Sequence, residues 1–193
     1  MPDAAHDVPV HSSYAAYYYP WLTIVGPDGV TRVVVPPGGH VAGVYAQIDS
    51  QRGVWVAPAG VPLIGVTGLS QQITPAESDL LSSRGINVLR VFPGQGNRVW
   101  GAHTTSQGPE WKYVNARRLA IYIERSLSQG LQWAVSGPNG PTLWAAVHLS
   151  IEDFLLNLWK SGGLMGPKPD EAFSAGVTTR RWRNPTLTWG GSW

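Results

Sequence analysis

Hydrophobic residues recur along this chain at two different spacings, and each change of spacing marks a new element. YAAYYYPWLTIV (14–25) is dense in Tyr, Ile and Val and reads as a strand interrupted by Pro20, because proline cannot donate to a ladder and marks an edge or a bend. GPDGV (26–30) has turn chemistry, and TRVVVPP (31–37) runs back to complete a hairpin. The period then lengthens. Val41, Val44, Tyr45 and Ile48 fall at i, i+3, i+4 and i+7, the stripe of an amphipathic helix over 39–53 with Gly53 as its stop. Residues 54–70 are punctuated by Gly and Pro and read as extended chain, partly a long loop. Thr74 as cap, Pro75 at the first position and Glu77 three after the cap predict a helix over 74–85, closed by Gly85.

INVLRVF (86–92) predicts a strand whose Val88, Val91 and Phe92 do not alternate, as in a strand buried on both faces. NRVWGAHTT (97–105) reads as a second strand. YVNARRLAIYIERSLSQG (113–130) predicts a helix with Val114, Leu119, Tyr122, Ile123 and Leu127 on its core side. LQWAVS (131–136) reads as a short strand and GPNGP as a turn. The longest helix is expected over 142–163, with Trp144, Val147, Ile151, Phe154, Leu155, Leu158 and Trp159 in register and Gly162-Gly163 as terminator. KPDEAF (168–173) opens one more short helical turn. The expected organisation is an irregular lead-in over 1–13, a core domain over 14–173 and an unpacked tail over 174–193. The fold class is α/β (α+β), a mixed β-sheet with packed helices and extended terminal segments.

Composition sharpens this picture in two respects. Charged residues make up 13% of the 193 residues, about half the usual share, while Gly (23), Pro (16) and Trp (10) are abundant. Such a surface is either covered by identical subunits or exposes Trp for carbohydrate, and packing is the commoner fate of aromatics. The absence of cysteine excludes disulfides and thiolate metal sites. The net charge is only +2, and Arg180, Arg181 and Arg183 sit together in the tail rather than along an ordered element, so no nucleic-acid partner is expected. No apolar run reaches transmembrane length, and MPDAAHDVPVHSS lacks the regions of a signal peptide, so membrane insertion is not expected either.

Candidate chemistry is sparse. Gly94-Gln95-Gly96 could cradle a phosphate only ahead of a helix with a following Lys and Ser or Thr; here a strand comes next, and a turn is expected instead. His6, His11, His40, His103 and His148 have no metal-ligand spacing. Glu152 and Asp153 are adjacent on a helix and diverge by about 100°. Asp49 and Arg52 are expected to pair across one helical turn. Arg117 and Arg118, beside Trp111 and Tyr113, could bind an anion, but packing or pairing is the commoner role for such residues. Neither an enzyme nor a cofactor site is expected.

The string GINVLRVFPGQGNRVWGAHTTSQGPEWKYVNARRLAIYIERSL resembles the sheath proteins of contractile phage tails and contractile injection systems. YAAYYYPWL, VVVPPGGHVAGVYAQIDSQRGVWVAPAG, QWAVSGPNGPTLW and EDFLLNLWKSGGLMGPKPDEAF fit the same family in the same order, together spanning roughly 14 to 173. The resemblance implies a structural subunit, free of cofactor, that stacks in hexameric rings around an inner tube and contracts after a baseplate signal. It implies other sheath subunits, the tube protein and the baseplate as partners, strand exchange through terminal arms, and assembly in the bacterial cytoplasm into a virion tail or injection particle. Lys160 and Lys168, near the end of the long helix, are the candidates for facing an acidic tube; ordinary solvated lysines are the alternative.

Three departures from the family pattern stand out. His103 replaces the Arg usual in WGAR, so an ion pair is lost or made pH-dependent. VSGPN (135–139) replaces the acidic FEPN. After Phe173 the expected Thr-rich segment and final strand are missing, which suggests a frameshifted or diverged end, a core short of its arms, and either poor assembly or a non-assembling remnant.

Overall fold

The structure, a computed structural model, describes residues 10–176. The lead-in expected over 1–13 lies outside the described residues through position 9, and the tail expected over 174–193 lies outside them from position 177. In chain order the elements are β1 (Tyr17–Tyr19), β2 (Leu22–Val25), β3 (Arg32–Val35), α1 (Gly38–Gln51), β4 (Val66–Leu69), α2 (Pro75–Ser83), β5 (Ile86–Phe92), β6 (Gly96–Val99), α3 (Val114–Gly130), α4 (Pro141–Lys160) and α5 (Pro169–Ala172). Single 3₁₀ turns occupy Pro109–Trp111 and Gln132–Ser136. The chain forms two compact units, the first through Ala120 and the second from Ile121.

The first unit holds two three-stranded sheets, in the orders β1-β5-β6 and β3-β2-β4. Pro20 divides the strand expected over 14–25 between them: β1 pairs parallel with β5, whereas β2 pairs antiparallel with β3 and β4. The β2–β3 turn is held by Asp28, whose Oδ1 accepts from the N–H groups of Val30 and Thr31 at 3.1 and 2.9 Å. β5 is flanked on both sides, and Ile86, Asn87, Val88 and Leu89 are all buried; of the three residues expected to be buried on both faces, Val88 is, while Phe92 is half-buried. Val91, by contrast, is 48% exposed near the end of the strand.

One face of α1 seals the sheets. Val41, Val44 and Ile48 pack with Leu22, Leu63, Leu89 and Val99 in one core cluster, and Tyr45 packs against its edge. The extended stretch after α1 is less of a loop than its Gly and Pro suggest. Residues 60–63 run along the outer edge of β6, with Gly60 N–H donating to the Val99 carbonyl, Val99 N–H to the Val61 carbonyl and Leu63 N–H to the Asn97 carbonyl, at 2.7, 3.0 and 2.8 Å. α2 carries the full capping box: Glu77 N–H donates to Thr74 Oγ1, and the Glu77 carboxylate accepts from the Thr74 backbone.

Four expectations are corrected. The strand expected over 97–105 stops at Val99; beyond it the Asn87 side chain holds the backbone at His103, where β-pairing resumes only as an isolated bridge to Tyr113. Gln132–Ser136 form a 3₁₀ turn rather than a strand: no strand pairs with this stretch among the described residues, Ala134 N–H folds back onto the Leu131 carbonyl at 3.0 Å, and Val135 is 87% exposed. In α4 the buried positions are Leu143, Ile151, Leu155 and Leu158, so the stripe is rotated from the expected one; Trp144, Val147, Phe154 and Trp159 are only half-buried. Tyr122, placed on the core side of α3 by its spacing, is exposed and packs on Phe154 at 6.2 Å between ring centres.

Candidate functional site

The most tightly determined polar group in the first unit is Asn87, in the middle of an apolar strand and fully buried. Its Nδ2 donates to the carbonyls of Tyr17 and His103 at 3.2 and 2.7 Å, and its Oδ1 accepts from His103 N–H at 2.6 Å. One amide thus ties β1, β5 and the segment after β6 together where regular pairing ends. Gly101 makes room for it: a Cβ there would lie 2.7 Å from Asn87 Oδ1.

A second network crosses from β1 through α1 to α3. The hydroxyls of Tyr18 and Tyr45 share a hydrogen bond of 2.6 Å. The Arg118 guanidinium lies 4.7 Å from the centre of the Tyr45 ring and grips both oxygens of Asp49 at 2.8 and 2.5 Å. Burial, reinforced by the neighbouring Tyr45, pushes the Tyr18 hydroxyl well above the ordinary tyrosine range, so the pair stays neutral. Asp49 therefore pairs with Arg118 and not with Arg52, which caps the end of α1 instead. The bidentate grip explains the preference, since it satisfies a forked donor that a surface i,i+3 pair would leave half-used.

Next to the Asn87 junction, a cleft of about 540 Å³ is lined by His11, Arg84, His103 and Lys112 with Ser83 and Thr105. His103 stacks on Tyr113 at 5.3 Å, forms an isolated bridge with it, and buries its Nδ1 without a hydrogen-bond partner. Burial, and then the Lys112 ammonium, hold its pKa below the ordinary 6.5. The folded chain thus favours the neutral ring, while the unfolded chain takes up a proton near the ordinary value. Stability should fall as pH drops from that value through the depressed one. Urea unfolding at pH 7.5 and 5 should show a lower midpoint at pH 5, and His103→Asn should shrink that gap; an unchanged gap would remove His103 as its cause. Glu77, held low by the Thr74 backbone and side chain, acts separately, below its ordinary 4.5.

The outer surface of the first unit is apolar where the β3-β2-β4 sheet faces away from the core. Trp21, Val25 and Val34 are 49, 44 and 51% exposed. β3 pairs only with β2, leaving its other edge without a strand among the described residues. Gly94 and Gly96 adopt positive φ, 71° and 75°, in the hairpin turn between β5 and β6, and no helix comes after them there.

In the second unit, Lys160 is the exposed last residue of α4 and Lys168 the exposed cap of α5. The Trp159 indole N–H donates to the Gly166 carbonyl at 2.9 Å, folding the chain back between them. His148 joins Glu152 at 3.2 Å and the Ala175 carbonyl at 3.0 Å, holding the chain after α5 against α4. Among the described residues no cluster of three or more His, Asp or Glu is placed to hold a metal, and no helix is long and apolar enough to cross a membrane.

Arg118, Asn87 and the two tyrosines join residues far apart in sequence and do not form a catalytic constellation; they knit elements together. The family model described as the phage tail sheath protein central domain matches residues 4–105, and that of the phage tail sheath C-terminal domain matches residues 106–180. The chain belongs to the phage tail sheath protein family. It is 28% identical over 179 residues to the tail sheath protein of Burkholderia phage BcepMu, covering 82% of this chain and 37% of that protein. Among solved structures it is similar to the sheath complex of an extracellular contractile injection system, PVC, in the contracted state (TM-score 0.82, 34% identity, 90% of this chain and 48% of that one). It is also similar to the anti-feeding prophage helical sheath in the contracted state (TM-score 0.81, 33% identity, 96% and 54%). The chain thus spans little more than a third of the phage protein's length and about half of each solved sheath chain. The C-terminal match runs seven residues past Phe173, where the motif resemblance stops.

Proposed function

We propose that this chain is a structural, non-catalytic part of a contractile sheath subunit, one that polymerises with copies of itself around an inner tube and shortens to drive that tube through a target envelope. The observation that carries the reading is the likeness to contracted sheaths across 90% or more of the chain, at a third identity. The physical features support it. Head-to-tail contacts that do not close generate helical polymers. An open β3 edge and an apolar outer sheet face offer backbone hydrogen bonds and buried area to a neighbour. Rigid units whose internal networks stay intact suit a transition that rearranges interfaces rather than cores. Lys160 and Lys168 are the cations we assign to the tube-facing side, and a baseplate is the expected trigger partner. The particle so formed is a phage tail or an injection device assembled in a bacterial cytoplasm.

Sedimentation velocity on the purified chain over a wide concentration range, with negative-stain microscopy of the fast fraction, tests this. Rings or tubes are expected. A species that stays monomeric at every concentration contradicts self-assembly by this chain.

A further inference from the structure

Arg117 is only 8% exposed, yet it is in no ion pair among the described residues. Its guanidinium carbon lies 3.9 Å from the centre of the Tyr14 ring and 4.6 Å from that of Trp111. The two rings attract the charge but do not satisfy its N–H groups. Nε is buried without a partner, and no carboxylate among the described residues pairs with Arg117. Arg118, the next residue, has a bidentate carboxylate; Arg117 has none among the described residues. A buried cation left unpaired weakens a fold unless something outside the chain completes it.

Asp153, Asp170 and Glu171 in the second unit are exposed, and none is in an ion pair among the described residues. Tyr14, the outer of the two rings on Arg117, is 72% exposed, so the stack lies at the surface. Lys112, next to Trp111 in sequence, adds a second cation at the rim of the basic cleft.

We propose that Arg117, clamped between Tyr14 and Trp111, is an inter-subunit anchor that takes one of these exposed carboxylates from the second unit of a neighbouring copy of this chain. The planar fork of arginine matches a carboxylate with two parallel hydrogen bonds, and the aromatic clamp fixes its orientation in advance. Assembly then supplies the counterion that the described residues of the single chain do not. The inference rests on the sheath reading and narrows it to one contact.

The test mixes isotope-labelled and unlabelled full-length Arg117→Lys protein under assembling conditions. A carbodiimide then joins amine to carboxylate at zero length, and mass spectrometry reads the products. Cross-links from position 117 to Asp153, Asp170 or Glu171 of the other isotope are expected. In parallel, Arg117→Gln should raise the concentration needed for assembly at least tenfold while leaving the monomer's urea midpoint no lower. A purely structural stack would instead lower the midpoint and spare assembly. If Arg117→Gln does not fold, the cross-link alone decides. Assembly with cross-links only within one copy, or none from position 117, overturns the anchor and leaves the sheath reading standing. Failure of the unsubstituted protein to assemble overturns both, and is recognised because no variant is involved.

Discussion

Replacing Asn87 with alanine should lower the stability of the chain more than any other single polar truncation. The substitution strands the Tyr17 and His103 carbonyls and the His103 N–H around a residue that is fully buried. Each orphaned group costs about 1–3 kcal/mol, and, because the three share one site and do not add fully, the expected loss is about 4 kcal/mol. That is a large part of the ~5–15 kcal/mol available to a natural domain. With a urea m-value near ~2 kcal/mol/M the midpoint should fall by about 2 M. Asn87→Asp provides the control. It keeps an acceptor for His103 N–H, loses both donations and buries a charge, so it should be at least as damaging. A midpoint for Asn87→Ala within about 0.5 M of the parent would show that the junction is not what holds β1.

Gly53→Ala is the second large effect. Gly53 lies just past the end of α1 with φ of 100°, and a Cβ there would fall 2.4 Å from Trp55 Cζ2. The Trp55 backbone cannot retreat freely, since its carbonyl accepts from Asn115 Nδ2 at 3.1 Å and so is tied to α3. Backbone strain for an L-residue in this region costs about 1–2 kcal/mol, and displacing the indole raises the total to about 3 kcal/mol. Thermal unfolding of the full chain checks it. A Tm drop of roughly 6 °C or more is expected, whereas a drop below about 2 °C would mean that the turn rearranges at little cost.

How much of the fold is legible in the sequence depends on the range of the forces involved. The α2 capping box is readable because Thr74, Pro75 and Glu77 act within one turn. The α1 stripe is readable because Val41, Val44 and Ile48 share one face whatever they meet. Asn87 is a polar residue inside an apolar run, which signals a buried demand, but its partners lie 70 and 16 positions away and nothing local names them. Asp49 illustrates the same limit: the neighbour at i+3 loses to Arg118, 69 positions on, because tertiary packing offers better geometry. Residues 131–136 fail for the opposite reason, as a short stretch of strand-forming residues becomes a strand only where another strand pairs with it. Lys160 and Lys168 are exposed, and the tube-facing role proposed for them belongs to the assembly, not to this fold.

The central claim is that this chain is part of a sheath. The most direct measurement is to isolate intact contractile particles from the phage or bacterium that carries the gene, separate them from soluble protein by sedimentation, and quantify this chain by mass spectrometry alongside the tube protein. The account predicts that the chain co-sediments with the particles in a fixed ratio to the tube, six copies per ring, and leaves the soluble fraction nearly empty. Its absence from particles, with the protein present only as a soluble species, would contradict the account.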